Sequence, residues 1–461
     1  MSTFDAFASA SAQARTNASH AAYSAGSRIL VGPFAYPLYR RFWMAGLLSF
    51  TAFWVQLITR SWLIQEMTGS PLMVTLIPVT MLLPMLFLSI PAGVLADRFD
   101  RRRIIIVMEA MAFIGYLALT LIAIFGVMQV WHVLALSALT GSLMALASPS
   151  RMSQVQNLVP PGEVRRAIGL SAVVFSLAQI AGPAVGGILI GRMGTDAALS
   201  ASLFFSIPAL LLYMSVRVEK ASRMQAARTA PLKAVKQGFS YAFRDPVLRN
   251  LLLSGLVVVA TIGTWAALMP TFASDVLNQG AEVLGALTLA VGVGALLGSL
   301  IVIGFGGRIS HEKIEVFAVS AMTLSVIGFA MSPWLPLSLL FAMLAGLSQT
   351  SFMVTNMTVV QMASSEEYRG RVLGIRFLII GTQPFGTIAL GLAAEALGPQ
   401  AAVAIVAVIG AVVYGAVQLA TRPHRGVARS PAPRVSSSSL TMPVHVGEQA
   451  SAGKSRSSGP G

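Results

Sequence analysis

Cysteine is absent from all 461 residues. Its absence excludes disulfides, thiolate metal sites and a cysteine nucleophile. Histidine is nearly as scarce, with five residues. His20, His424 and His445 lie in polar tails, and His132 and His311 sit at the ends of apolar runs. They form no cluster with metal-ligand spacing, so neither a metal nor a cofactor is expected. No phosphate-cradling G-x4-G-K-[ST] loop occurs, which argues against nucleotide hydrolysis, and the chain does not read as an enzyme. Charge is the most telling shortage. Only 11% of residues are Asp, Glu, Lys or Arg, against about 25% in soluble domains.

Apolar sequence fills that gap. Hydrophobic residues make up 55% of the chain, and the mean hydropathy is +0.75. A spanning helix needs about 20 apolar residues. Twelve such runs are predicted, near 42–66, 71–95, 104–127, 131–150, 167–191, 197–216, 248–272, 281–305, 314–331, 337–359, 372–394 and 400–420. The runs are continuous and lack the polar alternation of an outer-membrane barrel. The fold expected is an all-α membrane protein with twelve transmembrane helices.

The net charge of +15 does not point to nucleic acid, because the basic residues sit in the turns that flank the spans. With the N-terminus in the cytoplasm, nearly all of the 32 Lys and Arg fall on the cytoplasmic side. An even number of spans then places both termini inside, in a bacterial cytoplasmic (inner) membrane. Residues 1–37 read as a disordered cytoplasmic tail without a signal-peptide core, and 422–461 as a Ser/Pro-rich basic tail. A basic linker, 217–247, carries Arg217, Lys220, Arg223, Arg228, Lys233, Lys236 and Arg244. From Pro231 onward its spacing fits an amphipathic helix on the anionic leaflet; a solvated spacer fits it equally.

The linker divides the spans into two six-helix halves, 38–216 and 248–421. A faint repeat relates them. Gln156, Arg166 and Gly169 before span five recur about 205 residues later as Gln361, Arg371 and Gly374 before span eleven. The turn between spans two and three has a decayed partner at Gly304 to Lys313.

That turn is the most distinctive stretch: Gly93, Leu95, Ala96, Asp97, Arg98, Phe99, Asp100, Arg101, Arg102 and Arg103. It resembles the G-x-L-A-D-R-x-G-R-R/K signature of the major facilitator superfamily, with Asp100 where the second glycine usually stands. Its "ADRFDRRR" form is similar to the drug and siderophore exporter branch, the enterobactin-exporter-like, transmembrane-secretion-effector type. The resemblance covers about 38–420 and implies two pseudo-symmetric six-helix bundles. It also implies a conformational latch of Gly93, Asp97, Arg98, Arg101 and Arg102. Asp97 would hold the N-terminus of span eleven, Val372 to Gly374, and close the cytoplasmic side. A positive-inside hairpin without a coupling role is the plainer alternative. In span five, Gly169, Gly182, Pro183, Gly186 and Gly187 resemble the family's antiporter motif, with Ala178 replacing one glycine. Small-residue packing is the plainer reading there.

Ser49, Gln56 and Arg60 share a face of span one. Arg60 lies ~27 Å from Phe42 at 1.5 Å per residue. It either faces a cavity and favours an anionic or hydrogen-bond-accepting substrate group, or reaches the outer interface beside Gln65 and Glu66. Trp265 on span seven, Gln349 and Asn356 on span ten, and Gln383 on span eleven complete a candidate substrate cavity. Glu109, about 8 Å into span three, is the proton-coupling candidate, or else the partner of Arg101 or Arg102. Arg376 is expected to snorkel to the cytoplasm. The resemblance implies a monomeric exporter of a small amphiphilic compound (a drug, siderophore or secondary metabolite) in exchange for protons. Its partners would be that small-molecule substrate, protons and membrane lipids. Proton-coupled uptake and a non-transporting membrane scaffold or sensor are the alternatives.

Overall fold

The computed structural model describes residues 32–217, 231–305 and 309–421. Both expected tails therefore lie mostly outside the described residues, as does the first part of the linker. The rest is helical, and no strand occurs among the described residues. Twelve helices are long and apolar enough to cross a membrane. Spans one to six are Pro37–Thr68, Pro71–Arg98, Arg101–Ile124, Val130–Gln156, Val164–Met193 and Thr195–Ser215. Span seven starts at Pro246 and ends at Val276. Spans eight, nine and ten are Ala281–Phe305, His311–Met331 and Leu335–Ala363, and span twelve is Pro399–Thr421. A separate helix, Pro231–Arg244, precedes span seven.

Helices dominate because hydrocarbon offers no hydrogen bonds, so each segment must satisfy its own amides. Their ends are set by polar caps. Asp100 begins span three, its carboxylate accepting from the amides of Arg102 at 2.8 Å and Arg103 at 3.3 Å. Its φ of −66° is ordinary, so this turn does not require the glycine usual in related sequences. Asp245 caps span seven in the same way, through Val247 and Leu248.

Spans seven and eleven are broken. Span seven loses α-helical geometry at Thr261 (φ −124°, ψ −92°) and continues as a 3-10 segment, Ile262–Leu268. Span eleven consists of Glu366–Ile380 and Gln383–Leu397, separated by a turn at Gly381 and Thr382. The two breaks adjoin, because Gly386 lies directly against the Ala260 carbonyl. Glycine is needed there, since any β-carbon would occupy that oxygen's space.

Packing repeats between the halves. Spans two and four, three and four, and three and six pack together. Their counterparts eight and ten, nine and ten, and nine and twelve do the same. This is the pseudo-symmetric six-plus-six arrangement. Span five packs on span eight and span two on span eleven, joining the halves. The cross-half hydrogen bonds lie at the end away from the Arg-rich turn. Gln65 donates to Asp275 at 3.0 Å and accepts from Thr271 at 2.8 Å. Ser70 donates to Glu395 at 2.9 Å. Gly187 of span five and Gly285 of span eight cross there, so closely that a β-carbon on Gly187 would lie 2.6 Å from the Gly285 α-carbon. At the Arg-rich end, β-carbons on Gly93, Gly169 or Gly374 would meet nothing within 4 Å.

Gly187→Val is therefore expected to lower stability by about 1–3 kcal/mol through overpacking, seen as a reduced melting temperature in detergent. It should also slow disulfide formation in a Gln65→Cys/Asp275→Cys variant of this cysteine-free chain. Gly169→Val, directed into open space, should leave both readouts unchanged.

Candidate functional site

Charge buried among apolar helices must find partners, because leaving it unpaired costs several kcal/mol. Two clusters of such charge lie in corresponding places of the two halves. In the N-terminal half, Glu109 of span three is buried and accepts from Ser49 Oγ at 2.7 Å. It forms an ion pair with Arg151 of span four. Arg151 also donates to the Tyr213 hydroxyl at 3.1 Å. Its guanidinium lies over the Phe50 ring at 5.1 Å and the Tyr213 ring at 5.4 Å. Beside the pair is a cleft of about 40 Å³ lined by Ser49, Phe50, Phe53, Glu109, Tyr116 and Arg151. That volume admits water but not an organic solute.

The expected pairing of Glu109 with Arg101 or Arg102 is corrected. Arg102 donates to the Val216 carbonyl at the end of span six, at 2.6 Å. A facing helix supplies the cation instead of the carboxylate's own. Arg151 gave little signal in the sequence because it reads as one more positive-inside charge.

In the C-terminal half, Glu315 of span nine is 4% exposed and accepts from Asn356 Nδ2 at 3.1 Å. The same Asn356 nitrogen donates to the Leu251 carbonyl at 3.0 Å. Arg376 of span eleven is 3% exposed, which corrects the expectation that it snorkels to the surface. Glu315 is thus a second acid buried within a span, beside Glu109. The repeat could have revealed the second. Ser49 and Ser254, Glu109 and Glu315, Arg151 and Asn356, and Tyr213 and Tyr414 form pairs 201 to 206 residues apart.

The other sequence-selected residues are dispersed. Arg60 is fully buried and does not reach the interface. Its Nε donates to the Gln56 carbonyl at 3.0 Å, and its Nη1 to Ser137 at 3.2 Å and Thr140 at 3.0 Å. The Nη2 has no partner among the described residues. The Gln56 side chain turns to span six and donates to Ser202 at 2.6 Å. Trp265 is buried edge-on against Phe329, with ring centroids 5.0 Å apart. Gln349 is half-buried beside the break in span seven, its Nε2 3.6 Å from where a Gly263 β-carbon would sit. Gln383 is half-buried at the break in span eleven.

The span-five motif divides its work. Gly182 and Gly186 face Trp54 and Ile58 of span one, Gly187 and the Pro183 carbonyl face Gly285, and Gly169 is open. In the Arg-rich turn, Arg98 is exposed and Arg101 half-buried. The side chain of Asp97, the centre of the expected latch, lies outside the described residues.

Both clusters hold buried charge between helices of a bundle built of two repeats, with adjoining broken helices. This is the equipment of a membrane transporter. The chain belongs to the transmembrane secretion effector family of the major facilitator superfamily, which it matches over residues 30–443. It is 26% identical to the multidrug efflux pump Tap of Mycolicibacterium fortuitum over 75% of this chain and 87% of that protein. It is 21% identical to the staphyloferrin A transporter of Staphylococcus aureus over 77% and 89%. With macrolide efflux protein A of Streptococcus pyogenes the identity is 24% over 72% and 83%. Among solved structures, a mutant of the nucleoside transporter NupG superposes with a TM-score of 0.68 at 12% identity, over 84% of this chain and all of that one. A bacterial homolog of the human lysosomal transporter Spinster, inward-facing and unoccupied, gives 0.65 at 16% identity over 84% and 99%. At such identities the structural likeness concerns the fold.

Arg151→Met strands Glu109 without its cation. The expected loss is about 3–5 kcal/mol, measured by thermal or denaturant unfolding in detergent. The Glu109→Gln/Arg151→Met double variant should recover most of it. An additive loss in the double variant would refute the coupling.

Proposed function

We propose that this protein exports a small amphiphilic organic compound from a bacterial cell by proton antiport. The reading assigns it to the cytoplasmic membrane as a monomer with both termini inside, two bundles (38–216 and 248–421) and a connecting linker (217–247). The observation that carries it is the unequal closure of the two ends. The halves are joined by hydrogen bonds and by the Gly187–Gly285 crossing at one end. At the Arg-rich end, the glycines of spans two, five and eleven stand open. The positive-inside bias assigns the open end to the cytoplasm, so this arrangement is the inward-open member of an alternating pair. Efflux as the direction is supported by the relatives named above.

In this reading the basic turn of Gly93, Asp97, Arg98, Arg101 and Arg102 is a released latch. It re-forms on Val372 to Gly374 when the cytoplasmic end closes. The glycines and proline of span five let the bundles rock at close range. Arg60, with its free Nη2, and Gln349 and Gln383 at the helix breaks offer polar contacts to the solute. Gln56, Trp265 and Asn356 would support that cavity from behind. Glu109, ion-paired with Arg151 in this state, takes up the exchanged proton when that pair opens. The substrate class follows from this mixture of apolar walls and a few polar groups.

The test is transport by the full chain in liposomes with an imposed pH gradient, using a panel of cationic dyes, macrolides and siderophores and a trapped pH indicator. Compound-dependent proton movement is expected, and Asp97→Asn should slow it by at least about tenfold, or 1.4 kcal/mol of barrier. Unchanged flux in Asp97→Asn would overturn the latch, and compound flux without proton movement would overturn antiport.

A further inference from the structure

The two buried carboxylates occupy equivalent places in the repeat but differ in one respect. Glu109 has its cation in contact. Glu315 has no basic group within 4.0 Å among the described residues, where its side chain is bonded by the Asn356 amide. A cation is nevertheless close by. Arg376 is buried, and its Nε and Nη1 lack hydrogen-bond partners among the described residues. Arg376 Nη1 and Asn356 Oδ1 each lie 3.5 Å from the position of a Gly255 β-carbon. The acid and the base thus approach the two sides of one asparagine, and Asn356 Oδ1 is also unpartnered.

Two neighbouring buried ions left apart are costly, and contact between them would relieve both. What separates them is the position of one helical segment. Arg376 belongs to Glu366–Ile380, detached from the outer segment of span eleven by the Gly381–Thr382 turn. The outer segment is pinned to span two, where Gly391 abuts Thr75. The inner segment packs on the linker helix, with the Tyr368 and Tyr241 rings stacked at 4.4 Å, and through Val372, Ile375 and Ile379 on spans seven and ten. The Gly381–Thr382 turn separates it from the seated outer segment. No remaining group around Glu315 brings a cation within 4.0 Å among the described residues; His311, four residues back on span nine, is half-buried, and Lys313 is exposed. Span twelve presents the Tyr414 hydroxyl, unpartnered, and Gln418. Span seven presents Asn250 and Ser254, both bonded to Gln418. Glu312, one turn back on span nine, is exposed.

We propose that Glu315 is the proton-carrying group of the C-terminal half. It holds a proton while Arg376 is withdrawn, as here, and releases it to the open Arg-rich end when the inner segment of span eleven brings the guanidinium into an ion pair. The step balances through the proton released: a neutral carboxylic acid and a guanidinium, net +1, become a carboxylate paired with that guanidinium, net zero, and one proton. The inference deepens the proton-coupled reading and rests on it for its role in transport, but the protonation itself can be measured without a substrate.

The experiment is infrared difference spectroscopy of the purified full chain in lipid, titrated with acid and base. Subtracting the Glu315→Gln titration from that of the unaltered chain should remove the bands of the other Asp and Glu and leave one protonated-carboxyl C=O band that appears with acid and disappears with base. Arg376→Met should retain that band at alkaline pH where the unaltered chain has lost it. Identical titrations of the unaltered chain and Glu315→Gln would overturn the proposal. If Glu315→Gln does not fold, Glu315→Asp takes its place; a shifted band supports the assignment and an unshifted one rejects it. A band assigned to Glu315 in a protein that moves no protons in liposomes would sink the antiport reading alone.

Discussion

Hydrocarbon cannot solvate a charge or a peptide group, and the architecture of this protein is a set of answers to that constraint. Backbone amides are satisfied inside helices. Helices approach closely where glycines remove side chains, as at Gly187 and Gly285. Among the described residues side-chain charge is buried at few positions, and all but Arg376 are bonded to other polar groups. Arg60 rests on two hydroxyls of span four, Glu109 on Arg151 and Ser49, and Glu315 on Asn356. With so few charges inside, moving any one of them is energetically consequential.

The duplication gives this economy a structural logic. Each half carries a serine on its first span, a glutamate on its third and a tyrosine on its sixth at matching positions. The fourth-span position holds Arg151 in one half and Asn356 in the other, and the second half finds its cation on span eleven at Arg376. In the N-terminal half, carboxylate and cation both sit on continuous helices and are in contact. In the C-terminal half the cation sits on the inner segment of a broken helix, out of contact with the carboxylate. The two repeats thus differ where both descend from the same pattern.

Breaks in spans seven and eleven make the asymmetry possible. Their discontinuities adjoin at the middle of the C-terminal half, where Gly386 meets the Ala260 carbonyl. The outer parts of both spans belong to the closed end, with Thr271 and Asp275 bonded to Gln65, and Glu395 bonded to Ser70. The inner segment of span eleven packs instead on the linker helix, through Gly238 against Arg371 and Tyr241 against Tyr368. A linker that reads from sequence as a spacer or membrane-surface helix therefore also packs on the inner segment of span eleven.

The sequence by itself determined the twelve spans, the helical class and the family, because apolar length and the Arg-rich turn are local properties of the chain. It also carried the repeat, legible at Gln156 and Gln361 and latent at Glu109 and Glu315. Only the tertiary structure decided which charges meet. Arg101 and Arg102 are nearer to Glu109 in sequence than Arg151, yet Arg151 is the residue a facing helix delivers to it. Arg376 has the spacing of a snorkelling side chain, yet neighbouring helices cover it. Gln56, Asn356 and Trp265 have the polarity or size of cavity residues, but helix rotation turns them into their own bundles. Rotation and crossing angle arise from contacts made across the whole fold, and no stretch of one helix encodes them.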